Sequence, residues 1–396
     1  MASPLDRLRV LDIGTLFPAP LCAAMLGDLG ADVIKVEPPG GDSLRSVGAS
    51  VDGHSLGWAV VGRNKRSITL DLSQPRGQAL LHRLVERADL VVENLPERAL
   101  ERWHCTYAEL AARNPRLVVV SLSCFGRSGP YAERAGNGTL AEAFGGLTHM
   151  TGERDGPPLL TSLPIGDVLA AIFGVLGALA ACYQRDARGG HGQRVDVSMY
   201  EPILQLLTSG VPLYARTGQA LRRSGSRIPG AVPRNTYRTR DGRWLALSAV
   251  TDRLVATLLR LMGRDPEAES ARFGSVDLRR AHEDDLDSLV AQWIATREFA
   301  PLLEALVQAG IPAAPVNDVV ALFADPHVQA RHSFETIEDP VLGPLTLVAP
   351  APRLEGSPAR IRSTGPELGA HNDEIYRGEL GLRAEELAEL RAAGVI

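Results

Sequence analysis

Asp167 stands out among the acidic residues, because it closes a Gly-Asp pair at the head of an uninterrupted apolar run from Val168 to Tyr183. On residue types alone that is how a helix N-cap is written, a carboxylate accepting from the free backbone donors of the first turn. The basic stretch Arg63, Asn64, Lys65 and Arg66 is the second feature, and by composition it reads as a solvated surface turn. The motifs of several other chemistries are missing. The first strand is followed by GTLFPAP without a GxGxxG, and Phe17 and Pro18 stand where a dinucleotide pyrophosphate would need the backbone to come close. No Walker A, HExxH or GxSxG sequence occurs either. Cys22, Cys105, Cys124 and Cys182 are scattered, with no CxxC and no histidine at ligand spacing, so neither a metal site nor a disulfide framework is expected. Carboxylates, polar loops and basic residues remain as routes to chemistry.

A chain of 396 residues is long for one core, so two domains are expected. A formal net charge of -5 removes the broad positive field of a nucleic-acid binder, while leaving room for a local basic pocket, so a phosphorylated small molecule is the better partner. The first half alternates strand-like runs (RVLDIG, ADVIKVE, SITLDL, DLVVEN, RLVVVSLS) with helical patterns, which predicts a parallel sheet with crossover helices. Gly126 to Gly138 then forms a loop at a strand's carboxyl end, where open α/β sheets place ligands. The expected fold is α/β: a large Rossmann-like domain from 1–210 with 330–396, a linker or flap over 211–240, and a smaller α/β domain over 241–329. The start of the chain has no apolar signal region, and the run after Asp167 falls short of the roughly 20 residues a bilayer span needs. A cytoplasmic protein with a buried core helix there, and no membrane partner, is expected.

In this order along the chain stand LGDLGADVIKVEPPGGD (26–42), GRNKRSITLDL (62–72), ADLVVENLPE (88–97), NPRLVVVSLSCFGRSGPY (114–131), IGDVLAAIFGVLGALAA (165–181), GQRVDVSMYE (192–201) and IPAAPVNDV (311–319). With these segments the sequence resembles the class III CoA-transferases, which include formyl-CoA:oxalate and carnitine enzymes and, as relatives, the α-methylacyl-CoA racemases. The resemblance implies transfer of coenzyme A from an acyl-CoA to a free carboxylic acid, with no metal and no tightly bound cofactor. It aligns Asp167 with the family's catalytic aspartate, which attacks the thioester and passes through an aspartyl anhydride and an aspartyl-CoA thioester. A helix start suits that role, because it favours an anionic carboxylate and its free donors can hold a nearby oxyanion. It also implies that Arg63, Asn64, Lys65, Arg66, Asn94 and Arg102 lie along coenzyme A, where guanidinium and ammonium groups hold phosphates. Alanine at Lys65, Arg66 or Arg102 is then expected to weaken CoA binding with the fold intact. An interlocked homodimer is implied as well.

Two positions near the acyl group depart from relatives. The racemases carry a His-Asp pair where this chain has Asn137 and Gly138, and an amide cannot shuttle the proton a racemase moves. Phe17 stands where some members have a glutamine near the thioester. The segment 224–235 is either a mobile active-site loop or a plain linker. A racemase or isomerase, and a silent acyl-CoA-binding protein, are the alternatives, the retained Asp167 speaking against the second. Succinyl-CoA with a second dicarboxylate is the pair that the family's range suggests, whereas the identity of donor and acceptor alike depends on pocket side chains the sequence does not identify.

Overall fold

The computed structural model describes residues 3–228 and 230–396; Pro229, inside the 224–235 segment, lies outside the described residues. The chain divides into two compact units, one made of residues up to 148 with 160–216 and 330–396, the other of 149–159 with 217–329.

The first unit is built on six parallel strands: β1 (Arg9–Asp12), β2 (Asp32–Glu37), β3 (Lys65–Thr69), β4 (Leu90–Glu93), β5 (Val118–Ser123) and β6 (Arg194–Ser198). Their order is β3-β2-β1-β4-β5-β6, so the winding direction reverses between β1 and β4. Strands buried on both faces must be apolar throughout, which is why LVVE and VVVSLS carry runs of valine in place of alternation. Helix α1 (Pro18–Asp28) follows β1, and α2 (Pro75–Val85) follows β3. Short helices α3 (Glu97–Arg102) and α4 (Tyr107–Arg113) link β4 to β5. Between β5 and β6 come α5 (Gly138–Phe144) and the long α6 (Ile165–Ala187). One face of the sheet packs on α1 and α6 through Val10, Val92, Val120, Leu26 and Ala178, and the other packs on α2 and on Ile375, Tyr376 and Leu387 of the C-terminal segment.

Helix α6 differs from its expected form in three ways. It begins at Ile165 and runs 23 residues, with Pro164 at the N-cap and no side-chain cap, so Asp167 is the third residue inside the helix and not its cap. By length and composition it could cross a membrane, which the shorter expected run could not. It is also no fully buried core helix: Ala170, Gly174, Ala178 and Ala181 face the protein, while Ile172, Phe173, Leu176 and Tyr183 are exposed. The buried stripe is small so that α1 can approach, and a side chain at Gly174 would come 3.0 Å from the Cys22 sulfur.

The basic stretch at 63–66 is a structural clamp, not a solvated turn. Arg63 forms a bidentate pair with Asp28, at 2.7 Å to Oδ2. Asn64 donates to Asp28 and to the Arg360 carbonyl and accepts from the Arg362 N–H, at 2.8, 2.9 and 2.6 Å. Arg66 holds Asp32, Glu374 and Glu379, all within 2.7 Å, tying the C-terminal segment to the sheet. Lys65 is buried, with its ammonium 2.8 Å from Asp12 and 2.7 Å from the Pro20 carbonyl. Burial pushes its pKa down to about 8 against the pull of Asp12. Asp12 also faces the fully buried Lys35 at 3.5 Å, and Lys35 meets Asp42 at 3.1 Å.

The second unit has a three-stranded antiparallel sheet of β7 (Arg234–Arg238), β8 (Trp244–Ser248) and β9 (Ala313–Pro315), in the order β9-β8-β7. Helices α7 (Asp252–Leu261), α8 (Glu283–Ala295) and α9 (Phe299–Gln308) cover it, with Tyr237, Leu245, Leu258, Leu286, Ile294 and Leu306 in the core. The 211–240 stretch is therefore not a linker: it holds most of the helix Gly210–Thr217 and the whole of β7. Arg227 inside it is paired with Asp287 at 2.6 Å and with Asp284.

Removing one partner of a buried ion pair leaves the other charge desolvated, which costs about 3 kcal/mol or more. Lys65→Ala should therefore lower unfolding free energy in urea by about that amount, contrary to the intact fold expected from a phosphate-binding role. Exposed Arg102→Ala should leave it unchanged.

Candidate active site

The loops that close the carboxyl edge of the sheet are set at the reversal between β1 and β4, where α/β sheets open a crevice. Asn94 follows β4 and bridges to the loop after β1, its Oδ1 accepting from the Thr15 N–H at 2.8 Å and its amide donating to the Thr15 carbonyl at 2.9 Å. The next residue, Leu16, is exposed with φ 61°, and its N–H donates to Asp42 Oδ1 at 3.1 Å. Lys35 donates to the Gly14 carbonyl in the same loop. Phe17 precedes α1 and packs on the core shared by α1 and α6. The loop after β5 is fixed by Arg127, whose guanidinium pairs with buried Glu93 at 2.6 Å and whose N–H donates to Asp196 at 2.9 Å.

Asp167 lies at the same edge, because α6 runs back along the sheet towards the start of β6. Its surroundings are built from α5. Asn137 caps that helix, its Oδ1 accepting from the Leu140 N–H at 3.1 Å. Gly138 follows, and a methyl group there would overlap the Asp167 carboxylate. A side chain at Gly166 would in turn come 2.7 Å from the Gly138 carbonyl. Neither glycine has a positive φ, so each is required for close approach and not for backbone conformation. One turn along α5, buried Glu142 accepts from the Gly166 N–H at 2.9 Å and from the Thr161 hydroxyl.

These contacts set the electrostatics. Burial, and then the nearby Glu142 charge, push the Asp167 carboxyl up to about 6 from the usual carboxylate range. Burial also raises the Cys124 thiol, with the Asp167 charge adding to it, and its Sγ donates to the Asn137 carbonyl at 3.5 Å. Two of the first-turn donors expected to be open are in use, Ile165 N–H on the Leu163 carbonyl at 2.8 Å and Gly166 N–H on Glu142. Beside the loop after β5, Phe125, Tyr131, Phe144 and Tyr200 form a chain of edge-to-face contacts 5.0 to 6.0 Å apart.

Of the residues expected at the site, the structure thus brings Asp167, Asn137, Phe17 and Asn94 to the carboxyl edge. Arg63 and Asn64 precede β3 at the opposite edge, and Arg63, Lys65 and Arg66 spend their charges on internal pairs. Arg102, exposed at the end of α3 and stacked towards Trp103 at 5.7 Å, is the cation of that set with no ion pair among the described residues. Sequence reasoning missed Glu142, whose signal was present: a carboxylate set in the short run LAEAF, four residues after Gly138.

The sequence model of CoA-transferase family III matches residues 5–372. The chain belongs to that family. This transferase is 42% identical over 395 residues to the succinyl-CoA–D-citramalate CoA-transferase of Chloroflexus aurantiacus, covering 99% of this chain and 98% of that one. It is 35% identical to the succinyl-CoA:mesaconate CoA-transferase of Haloarcula hispanica, covering 95% of each. The crystal structure of a CaiB/BaiF family protein from Brucella suis superposes with a TM-score of 0.83 at 32% identity, covering 96% of this chain and all of that one. The transferase acts on acyl-CoA and carboxylate substrates.

The fit between Gly138 and the Asp167 carboxylate gives a sharp expectation. Gly138→Ala must push the carboxylate aside, and displacement of a reacting group by about 1 Å can cost roughly 10²-fold in rate. Transfer should fall by about that factor with the thermal midpoint little changed, as read by CoA exchange and calorimetry.

Proposed function

We propose that this transferase moves coenzyme A between carboxylic acids by carrying the acyl group, and then CoA itself, on Asp167. A carboxylate oxygen of Asp167 attacks the donor thioester carbonyl, forming a mixed anhydride and expelling the CoA thiolate. The thiolate attacks the Asp167 carbonyl of that anhydride, which releases the donor acid and leaves an aspartyl-CoA thioester. The acceptor carboxylate attacks this thioester, again giving an anhydride and thiolate. The thiolate then takes the acceptor acyl group and frees Asp167. Each difficult exchange is split into steps of similar energy. The observation that carries the reading is the setting of Asp167: a carboxylate pressed on Gly138, half withdrawn from water, with its pKa pushed up to about 6. That makes it more basic, hence more nucleophilic, than an exposed aspartate, yet still ionised at neutral pH.

The charged group perturbing it among the described residues is Glu142, and Asp167 in turn raises the Cys124 thiol; no histidine is among these groups to serve as the second base of a racemase. Succinyl-CoA is the proposed donor, supported by the relatives' names. Arg102 is proposed to hold a CoA phosphate. A homodimer is proposed on the apolar residues that α6 leaves exposed, Ile172, Leu176 and Tyr183; a one-chain mass by light scattering would remove that part.

Asp167→Asn and Asp167→Ser should fold with an unchanged or higher thermal midpoint, since a charge held above its ordinary pKa is a cost to the fold. Both should bind CoA and lose transfer by several orders of magnitude. Arg102→Ala should weaken CoA binding roughly tenfold or more. Full transfer by Asp167→Asn, across a panel of acyl-CoA donors and free acids followed by mass, would refute the covalent route.

A further inference from the structure

Glu142 is an unusual carboxylate. It is 2% exposed and on a seven-residue helix, yet it has no cationic partner among the described residues. Its two oxygens are used separately, one accepting from the Gly166 N–H at 2.9 Å and the other facing the Thr161 hydroxyl, whose single proton is shared between that carboxylate and the Leu163 carbonyl at 2.8 Å. The clamp therefore holds both the strand of chain entering α6 and the residue immediately before Asp167. A glutamine could accept from one and donate to the other, so hydrogen bonding alone does not require a charge here.

We propose that Glu142 is a positioning residue for the transfer reaction: it fixes the first turn of α6 that presents Asp167, and its charge stands beside the reacting carboxylate. This rests on the reading of Asp167 as the nucleophile. A buried negative charge near a second carboxylate disfavours ionisation of the latter and raises its basicity. Among the described residues no cation contributes to the shift at Asp167. Cys22 on α1 is a buried thiol, Cys124 beyond β5 is raised by burial, Asp196 on β6 accepts from Arg127, and Glu201 accepts from the Ser198 hydroxyl at 2.6 Å. Glu142 is the carboxylate whose charge is felt at Asp167. The sign follows directly. Asp167 must be ionised to attack, so wild-type kcat/KM should rise with pH through about 6. Without the Glu142 charge that rise should move to lower pH.

The test is the pH profile of kcat/KM for wild type, Glu142→Gln and Glu142→Ala, alongside Asp167→Asn. Glu142→Gln keeps both hydrogen bonds and should shift the acid limb down, raising activity at pH 5 relative to the plateau by about two- to fivefold. Glu142→Ala frees the turn and should lower plateau kcat by about 10²-fold, with KM for acyl-CoA changed less than about threefold. An acid limb in Glu142→Gln that superimposes on wild type, with Asp167→Asn inactive, overturns the proposal while leaving Asp167 as nucleophile. Active Asp167→Asn would instead overturn the reading on which it rests.

Discussion

Two helices meet at their first turns with no space for a β-carbon on either side, and the reactive carboxylate occupies what room is left. Gly138 opens α5 against Asp167, Gly166 presses on the Gly138 carbonyl, and Glu142 fastens the junction through the Gly166 N–H. Everything distinctive about Asp167 follows from that crowding. The carboxylate is withdrawn from water, it lies near a second carboxylate, and its pKa rises to about 6 as a result. A side chain at Gly166 would press on the Gly138 backbone and part the helices, whereas one at Gly138 would displace the Asp167 carboxylate itself.

The parallel sheet makes the junction available by sending α1 and α6 back along one face, so that both helices start at the carboxyl edge. Small residues on α6 let α1 lie close, with Gly174 against Cys22. Beneath the edge, Asp12, Lys35, Asp42 and Lys65 form a buried chain of alternating charge that grips the loop after β1 through the Gly14 carbonyl and the Leu16 N–H. Such a network adds little net stability over an apolar core, but breaking it is costly, so it acts as a stiff mount. The C-terminal segment completes the mount through Arg66 and through Tyr376, whose hydroxyl donates to the Thr69 carbonyl at 2.7 Å.

The sequence was most legible where burial dictates composition. Runs such as LVVE and VVVSLS announced parallel strands, and IGDVLAAIFG announced the helix that carries Asp167. Legibility ended where a residue type serves two physical ends. Asp167 reads as an N-cap, yet Pro164 takes that place, since proline suits a helix start and the glycine between them is needed for close approach. Arg63 to Arg66 read as a surface turn or phosphate seat, but their acidic partners, Asp28, Asp12, Asp32 and Glu379, are tens to hundreds of residues away, and no local pattern reveals a long-range pair. The strand β7 was hidden by arginines on its exposed side, its core face marked chiefly by Tyr237. The carboxylate of Glu142 in the run LAEAF gains its meaning only when the fold sets it against Gly166.

Covalent carriage by Asp167 is tested most directly by trapping. Hydroxylamine added during turnover with an acyl-CoA and a free acid attacks an activated aspartyl carbonyl, whether anhydride or thioester, and leaves a hydroxamate on the residue. The expected result is a modified peptide containing Asp167, formed only when acyl-CoA is present and absent in the Asp167→Asn variant. Active turnover with that peptide unmodified, or with the label on another carboxylate, would contradict the assignment.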